Sequence, residues 1–339
     1  MVRLVNLQLA RWHQPTPNDP MLLMRTTRIV PALLLLAATH PALGCSACGC
    51  TLSSDWASQG LAASGGFRAD LRFDYFEQDQ LRSGTDSVSR ADLPLPNTQE
   101  VQQYTINRNY GLDLDYSPNR QWGMNVLLPV YNRSHATIAP GDTEISTSQD
   151  SGIGDLRLIG RYMGFGEQRS TGLEFGIKLP SGNFTTRFRS GPQAGEPLDR
   201  GLQLGTGTTD LLLGVYNFGG ISENLGYFAH ALLTQPLNSR EDFRPGTGLN
   251  FNLGLRYTAS ETFVPQLQVN ARVEKRESGA NADVENSGAT LVYISPGLTW
   301  NISHRFSAYA FLQAPLYQRV NGLQIEATQL ASLGVHYIF

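Results

Sequence analysis

Apolar and polar residues alternate one by one through many short stretches of the chain. Between Leu249 and Tyr257, for example, every second residue is apolar, and asparagine, glycine or arginine fills the positions between them. Successive side chains of a β-strand point to opposite faces, so this period of two indicates strands with one apolar and one polar face. Such stretches recur from Phe67 to Phe339, and about twelve can be traced. The pattern predicts an all-β chain.

In the final stretch, Gln324 to Phe339, apolar residues occupy every second position from Ala331 to Phe339, and the opposite face is polar except at Leu330 and Ile338. An apolar strand at a free sheet edge promotes aggregation, whereas a closed membrane barrel has no free edge. The stretch resembles the closing strand of Gram-negative outer-membrane barrels. That resemblance implies that Tyr337 and Phe339 form the signal read by the barrel-assembly machinery. The alternative is the last strand of a soluble sandwich.

Long polar connections follow the odd strands, and short turns such as residues 117–120 and 219–220 follow the even ones. The long connections run from Gln78 to Gln103, from Asn132 to Ser151 and from Ser181 to Gly207, with shorter ones near Asn238, Arg276 and Arg319. Short periplasmic turns and longer external loops are typical of bacterial outer-membrane barrels. We therefore predict a transmembrane antiparallel up-and-down β-barrel of about twelve strands over residues 67–339, with both termini in the periplasm. Ten or fourteen strands are the alternatives.

The N-terminal region has the features of an export signal. A basic flank precedes a short apolar region, residues 29–38, and small residues follow at Ala42 and Gly44. This arrangement predicts a cleaved signal peptide over residues 1–44, too short to be a membrane anchor. Residues 1–20 do not fit such a signal, so translation could start after them.

Composition agrees with an exported barrel. Charged residues make up 16% of the chain, against about 25% in soluble domains, and hydrophobic residues make up 41%. The net charge of −3 gives no indication of a nucleic-acid partner. No stretch approaches the roughly 20 continuous apolar residues of a membrane helix.

Charged side chains occupy the polar face of the predicted strands. In a membrane barrel this face points into the lumen, because a charge at the lipid midplane costs about 2–4 kcal/mol. The predicted lumen-lining residues are Arg68, Asp70, Arg72, Asp74, Asp113, Asp115, Asp155, Arg157, Arg161, Glu174, Lys178, Arg256, Arg272 and Glu274. They could form a polar lumen that selects passing solutes, or a cross-linked interior that ties a narrow barrel shut.

All three cysteines, Cys45, Cys48 and Cys50, lie in the segment 45–66, which precedes the first predicted strand and reads as a periplasmic extension. Three thiolates within six residues could hold copper or zinc, which accept sulfur ligands. Cys-x-x-Cys also forms disulfides readily in the oxidising periplasm, where it could exchange with a redox or metal-handling partner. A lipid anchor on Cys45 is the third interpretation.

Three glycine-rich stretches resemble a known family. They are Ser151-Gly-Ile-Gly-Asp-Leu156, Lys178-Leu-Pro-Ser-Gly182 and Leu204-Gly-Thr-Gly-Thr-Thr-Asp210. They look like the outer-membrane channel family associated with the phenol-degradation meta-pathway. The resemblance implies passage of small, often hydrophobic or aromatic, compounds across the outer membrane. The cysteine cluster departs from the family pattern.

The leading hypothesis is therefore a non-enzymatic outer-membrane channel whose partners are membrane lipid, the assembly machinery and a small solute. A second hypothesis is a barrel that anchors a metal-binding or redox-active N-terminal segment. A third is a surface hydrolase that uses His135, which falls in a predicted external loop beside Ser134. A histidine next to a serine in sequence does not make a catalytic pair, since such pairs are formed across the fold.

Overall fold

A computed structural model describes residues 65–165 and 170–339, which form strands and two short 3-10 helices, Arg90–Asp92 and Arg200–Leu202. The predicted signal peptide and the three cysteines lie outside the described residues. The strands are β1 (Gly66–Ser83), β2 (Asp86–Ser87), β3 (Val101–Ser117), β4 (Trp122–Ile138), β5 (Ser146–Ile153), β6 (Leu156–Phe165), β7 (Thr171–Leu179), β8 (Asp210–Ser222), β9 (Leu225–Pro236), β10 (Gly248–Tyr257), β11 (Phe263–Glu274), β12 (Ala289–Asn301), β13 (Phe306–Val320) and β14 (Leu323–Ile338).

These strands form one antiparallel sheet that closes on itself, because β14 pairs with both β13 and β1. The wall contains twelve strand positions. Strands β5 and β6 share one position, since β5 pairs with residues 130–137 of β4 and β6 pairs with residues 122–127. The two-residue strand β2 only extends the edge of β1. The predicted all-β, twelve-stranded up-and-down barrel is thus confirmed.

The seam between β1 and β14 brings the two ends of the described barrel together. Arg68 pairs with Ile338, and the ladder continues to the pair of Ser83 and Leu323. At the end of the seam, the backbone N–H of Phe339 donates to the carbonyl of Phe67 at 3.1 Å. Tyr337 and Phe339 are exposed on the outer face of this seam.

The outer face of the wall is apolar and the inner face is polar. In β10, Leu253 is 44% exposed whereas its neighbour Asn252 is 3% exposed, as the alternation of side chains along a strand requires. Large apolar side chains are exposed in the same way on the other long strands. Within the described part of the chain, no helix has the length and apolar character needed to cross a membrane.

Several predicted loops are strand in the structure. Most of the predicted connection from Asn132 to Ser151 is a hairpin, because β4 continues to Ile138 and β5 begins at Ser146. The connection near Arg319 is a tight turn at residues 321–322. Residues 219–220 lie inside β8, and the turn follows at residues 223–224. In β4 and β5 the ladder hydrogen bonds continue beyond the apolar band. The residues there are mostly polar on both faces, so no apolar–polar alternation marks them as strand.

The interior is less polar than the sequence predicts. Near the long loops, one buried apolar cluster contains Leu81, Val101, Ile138, Leu323 and Ile325. A β-bulge contributes to this arrangement, because Phe76 pairs with Leu330 while Gln78 pairs with Ala327. The extra residue in β14 changes which side chains face inward, an effect that simple alternation cannot show.

Candidate functional site

The three glycine-rich stretches meet at one place on the barrel wall. Gly154 separates β5 from β6, Gly182 follows β7, and Gly205 precedes β8. A Cβ atom on Gly182 would lie 2.7 Å from the Cα of Gly205 and 3.0 Å from the carbonyl carbon of Gly154. Glycine is therefore required for the backbones to touch. We call these three residues the glycine junction.

Asp155, next to this junction, fastens a long loop to the wall. Its carboxylate accepts hydrogen bonds from the backbone N–H of Gly182 at 3.1 Å and from the backbone N–H and hydroxyl of Thr206 at 2.9 and 2.8 Å. The Lys178 ammonium lies 3.1 Å from Asp155 and 2.7 Å from Asp210. One lysine on β7 thus pairs with two carboxylates, one just before β6 and one at the start of β8.

The loop fastened in this way comprises residues 180–209, and it folds into the barrel. Phe188, Leu198 and Leu202 are buried together within it. The Arg133 guanidinium, on β4, donates to the carbonyl of Leu202 at 2.7 Å. We call residues 180–209 the constriction loop because residues 200–206 occupy part of the barrel interior and line a cavity there.

A cavity of about 200 Å³ lies between the constriction loop and the wall. Drug-sized ligands occupy pockets of about 300–1,000 Å³, so this cavity has room for one small solute. Its lining includes Asn109, Tyr131, Arg133, Asp155, Arg157, Lys178, Arg200, Leu204, Thr206, Asp210, Phe243, Pro245, Arg272, Glu274 and Glu277. Charged groups of both signs therefore face a partly apolar space.

An arginine in the constriction loop links it to the next long loop. The guanidinium of Arg200 lies 4.7 Å from the ring centre of Phe184 and 4.9 Å from that of Phe243. It also pairs with Glu241 at 3.1 Å and donates to the carbonyl of Thr206 at 2.9 Å. Cation–π contacts and an ion pair thus hold the two loops against each other.

Of the fourteen residues predicted to line a lumen, five lie around this cavity. They are Asp155, Arg157, Lys178, Arg272 and Glu274. The other nine lie on strands outside its lining, and these are Arg68, Asp70, Arg72, Asp74, Asp113, Asp115, Arg161, Glu174 and Arg256.

Most of these nine residues form ion pairs or hydrogen bonds with one another or with other side chains inside the barrel. Asp115 pairs with Arg68 at 2.6 Å and also with Arg161. The Tyr309 hydroxyl donates to Asp70 at 2.8 Å. The barrel interior therefore combines a solute-sized cavity with an interlocked region of paired charges.

Further ion pairs and hydrogen bonds extend this interlocked region. Arg72 pairs with Asp74 at 2.9 Å. Glu174 lies 2.9 Å from the imidazole of His230. Asp113 accepts a hydrogen bond from the amide of Asn125.

His135 is not in an external loop, so that prediction is wrong. It lies in β4 and is 1% exposed, with its Nδ1 atom 2.8 Å from the Thr105 hydroxyl and its Nε2 atom 3.8 Å from Glu100. The error follows from the unrecognised extension of β4. No group of three or more histidine, cysteine or acidic side chains in residues 65–165 and 170–339 is arranged to hold a metal.

Four buried carboxylates, Glu100, Asp199, Glu277 and Asp283, converge from three loops at the long-loop end. Burial, followed by the charges of Glu277, Glu100 and Asp283, raises the pKa of Asp199 well above its usual value. Burial likewise raises the pKa of Asp283 to about 6. Protonation of Asp283 therefore falls within a pH range that is accessible to experiment.

The sequence did not identify Arg133, Arg200, Thr206 and Asp210 as parts of the site. The last two belong to the glycine-rich stretch from Leu204 to Asp210, so the signal for them was present. Arg133 and Arg200 fall in segments that the sequence predicted to be loops, where no strand face could be assigned.

No protein-family model matches the chain, and no curated protein matches it. Among solved structures, an outer membrane channel from Pseudomonas putida F1 is similar over 81% of this chain and 96% of that chain, with a TM-score of 0.60 and 12% identity. The beta domain of the Bordetella autotransporter BrkA gives a TM-score of 0.44 at 13% identity, covering 81% and 100% of the two chains. The Ralstonia pickettii toluene transporter TbuX gives 0.40 at 10% identity, covering 81% and 90%. The first comparison shows that the barrel fold is shared with a bacterial outer membrane channel.

Proposed function

We propose that this protein is a channel of the bacterial outer membrane that passes small solutes through its lumen. The observation that carries the proposal is the cavity of about 200 Å³ inside a closed barrel, bounded by the constriction loop and by charged and apolar side chains.

The outer face of the barrel supports the membrane location. Exposed apolar side chains such as Phe251 and Leu253 suit lipid tails, and a closed barrel satisfies every backbone hydrogen bond within its own wall. The short turns then face the periplasm together with the seam at Phe67 and Phe339, and the constriction loop enters from the external side.

The solute class follows from the family resemblance. The stretches that resemble the phenol-degradation channel family are the ones that build the glycine junction. On this basis we propose that the solutes include small hydrophobic or aromatic compounds. Tyr131, Leu204 and Phe243 give the cavity an apolar part that suits such molecules.

Single-channel recording in planar bilayers tests the proposal. We expect the refolded protein to give discrete conductance steps, and liposomes that contain it to admit phenol-sized solutes faster than protein-free liposomes. The control is heat-denatured protein, whose loss of compact barrel mobility is checked on a gel. A correctly folded barrel that neither conducts nor speeds solute entry would contradict the channel function.

A second proposal concerns Cys45, Cys48 and Cys50, which could bind copper or zinc or exchange disulfides with a periplasmic partner. Metal analysis of the purified exported protein tests it. We expect about one bound metal ion per chain, lost in Cys48→Ser and Cys50→Ser variants. Thiol counts that show a disulfide and no metal would favour redox exchange instead.

A further inference from the structure

Within residues 65–165 and 170–339, Arg157 differs from the other cations around the cavity because its guanidinium has no polar partner. Lys178 is neutralised by Asp155 and Asp210 at 3.1 and 2.7 Å, and Arg272 donates to Glu274 at 3.0 and 2.8 Å. The remaining two cations, Arg133 and Arg200, donate to carbonyls of the constriction loop. Among the described residues, none forms a hydrogen bond or an ion pair with the guanidinium of Arg157.

The position of Arg157 on the wall explains why no neighbour neutralises it. Its cross-strand partners are Leu127 on β4 and Lys178 on β7. Directly opposed side chains in a sheet lie about 4.5–5.5 Å apart at Cβ, so an apolar side chain and a like charge lie directly opposite Arg157. Asp155, two residues earlier, is already engaged with Lys178 and with the constriction loop. Lys178 is already held by two carboxylates. The guanidinium is therefore left to face the cavity.

The chemistry of this site matches an organic anion. A guanidinium has five donors in a planar fork that fits a carboxylate with two parallel hydrogen bonds. Tyr131, Leu204 and Phe243 line the same cavity and can contact an apolar body. The volume of about 200 Å³ limits that body to a small molecule.

We propose that Arg157 binds the carboxylate of small organic acids inside the lumen, with the apolar part of the acid against the constriction loop. This inference rests on the proposed channel function and specifies its solutes as amphipathic monocarboxylates. A neutral molecule of the same shape lacks the ion pair and binds more weakly.

Equilibrium binding to the refolded full-length protein in detergent tests the site without requiring passage. The probes are benzoate and its neutral counterpart benzamide, titrated by calorimetry. Because a charge-assisted hydrogen bond contributes about 1.5–3 kcal/mol, we expect benzoate to bind the unaltered protein about tenfold or more tightly than benzamide. Arg157→Gln should weaken benzoate binding by the same factor and leave benzamide binding unchanged.

Two further variants separate charge from folding. Arg157→Lys keeps the charge but not the planar fork, so it should restore part of the benzoate affinity. Arg120→Gln removes a positive charge from an exposed short turn and should leave the affinity unchanged. Compact barrel mobility on a gel confirms that each variant is folded.

The outcomes distinguish this site from the channel function. Equal affinities for benzoate and benzamide, no benzoate binding, or full benzoate affinity in a folded Arg157→Gln variant would overturn the carboxylate site. None of those results would contradict the channel function, because conductance and solute entry test that function separately. If a folded barrel binds benzoate through Arg157 but does not conduct, the binding site is supported and the proposed channel function is contradicted.

Discussion

Asp115 lies between two guanidinium groups inside the barrel wall. Arg68, Asp115 and Arg161 are 3%, 8% and 1% exposed, so water does little to stabilise their charges. Removing one partner of a buried ion pair is costly because the remaining charge keeps its desolvation penalty. This triad therefore makes the barrel interior intolerant of single charge deletions.

We expect Asp115→Ala to lower the free energy of unfolding by about 3–5 kcal/mol, because two buried arginines lose a shared carboxylate. Urea titration of the barrel in lipid vesicles, followed by tryptophan fluorescence, measures the change. Asp86→Ala, in the exposed two-residue strand β2, is the matched control and should change the stability by less than about 0.5 kcal/mol. Equal midpoints for the two variants would contradict the role of the triad.

Single residues show what the sequence could and could not predict. Alternation identified Arg68, Asp115 and Arg161 as one set because each lies on the polar face of a clear strand. It could not pair them, since Arg68 and Asp115 are 47 residues apart and their contact depends on strand register. His135 was misplaced because β4 continues past the apolar band that reveals strands.

At the scale of elements, Asp155 is one of the polar side chains that anchor the constriction loop to the wall. Asp155 accepts three hydrogen bonds from Gly182 and Thr206, at the point where β5 gives way to β6. A charged acceptor forms stronger hydrogen bonds than a neutral one. The part of the loop around Gly182 and Thr206 should therefore respond to the charge of Asp155.

We expect Asp155→Asn to loosen the constriction loop and to raise the mean single-channel conductance. The asparagine amide has the size of the aspartate side chain but only one acceptor oxygen, so it cannot accept all three hydrogen bonds from Gly182 and Thr206. The substitution also removes one of the two negative charges that pair with Lys178. Recording in planar bilayers measures the effect. Asp92→Asn, in an exposed helix of another loop, is the control. A conductance equal to that of the unaltered protein would argue against this anchoring role.

The buried carboxylates of the long loops predict a dependence on pH. Burial raises the folded-state pKa of Asp283 to about 6, and burial together with the neighbouring carboxylates raises the pKa of Asp199 well above its usual value. A raised pKa means that the folded form binds protons more tightly than the unfolded form. The resulting stabilisation is complete below about pH 4 and is lost as the pH rises through 6.

Hydrogen exchange of residues 275–288, corrected for intrinsic rates, should therefore show slower exchange at pH 5 than at pH 8. In the Asp283→Asn variant the difference between the two pH values should shrink, because the amide stays neutral and keeps an acceptor for the backbone N–H of Asn286. Identical protection at both pH values in the unaltered protein would contradict the prediction.

Strand boundaries mark the limit of sequence interpretation at this scale. Clean alternation located β10 at its observed bounds within a residue. The sequence pattern did not predict strand for the outer parts of β4 and β5, because residues on both faces there are mostly polar. The inward fold of the constriction loop also could not be read from sequence, since it depends on contacts with Arg133 and Asp155 on other elements.

At the scale of the whole molecule, the apolar outer wall determines the environment that the barrel can occupy. Leu253 lies near the middle of β10 and is 44% exposed. We expect Leu253→Arg to destabilise the barrel in vesicles by about 2–4 kcal/mol, because a charge at the bilayer midplane is poorly solvated. Thr258→Arg, in the short turn after β10, should cost about 0–1 kcal/mol in the same urea titration. Equal costs would contradict a membrane-embedded wall.

The seam between β1 and β14 also dictates the order in which the barrel can form. Neighbouring strands elsewhere in the wall follow one another along the chain, so they can associate as soon as both are made. The seam instead joins Arg68 to Ile338, with nearly the whole barrel between them. Until β14 arrives, β1 presents an unsatisfied edge that could recruit a strand from another chain. Closure is therefore a late event of high contact order, and a chain released without its last strand is expected to aggregate rather than to insert.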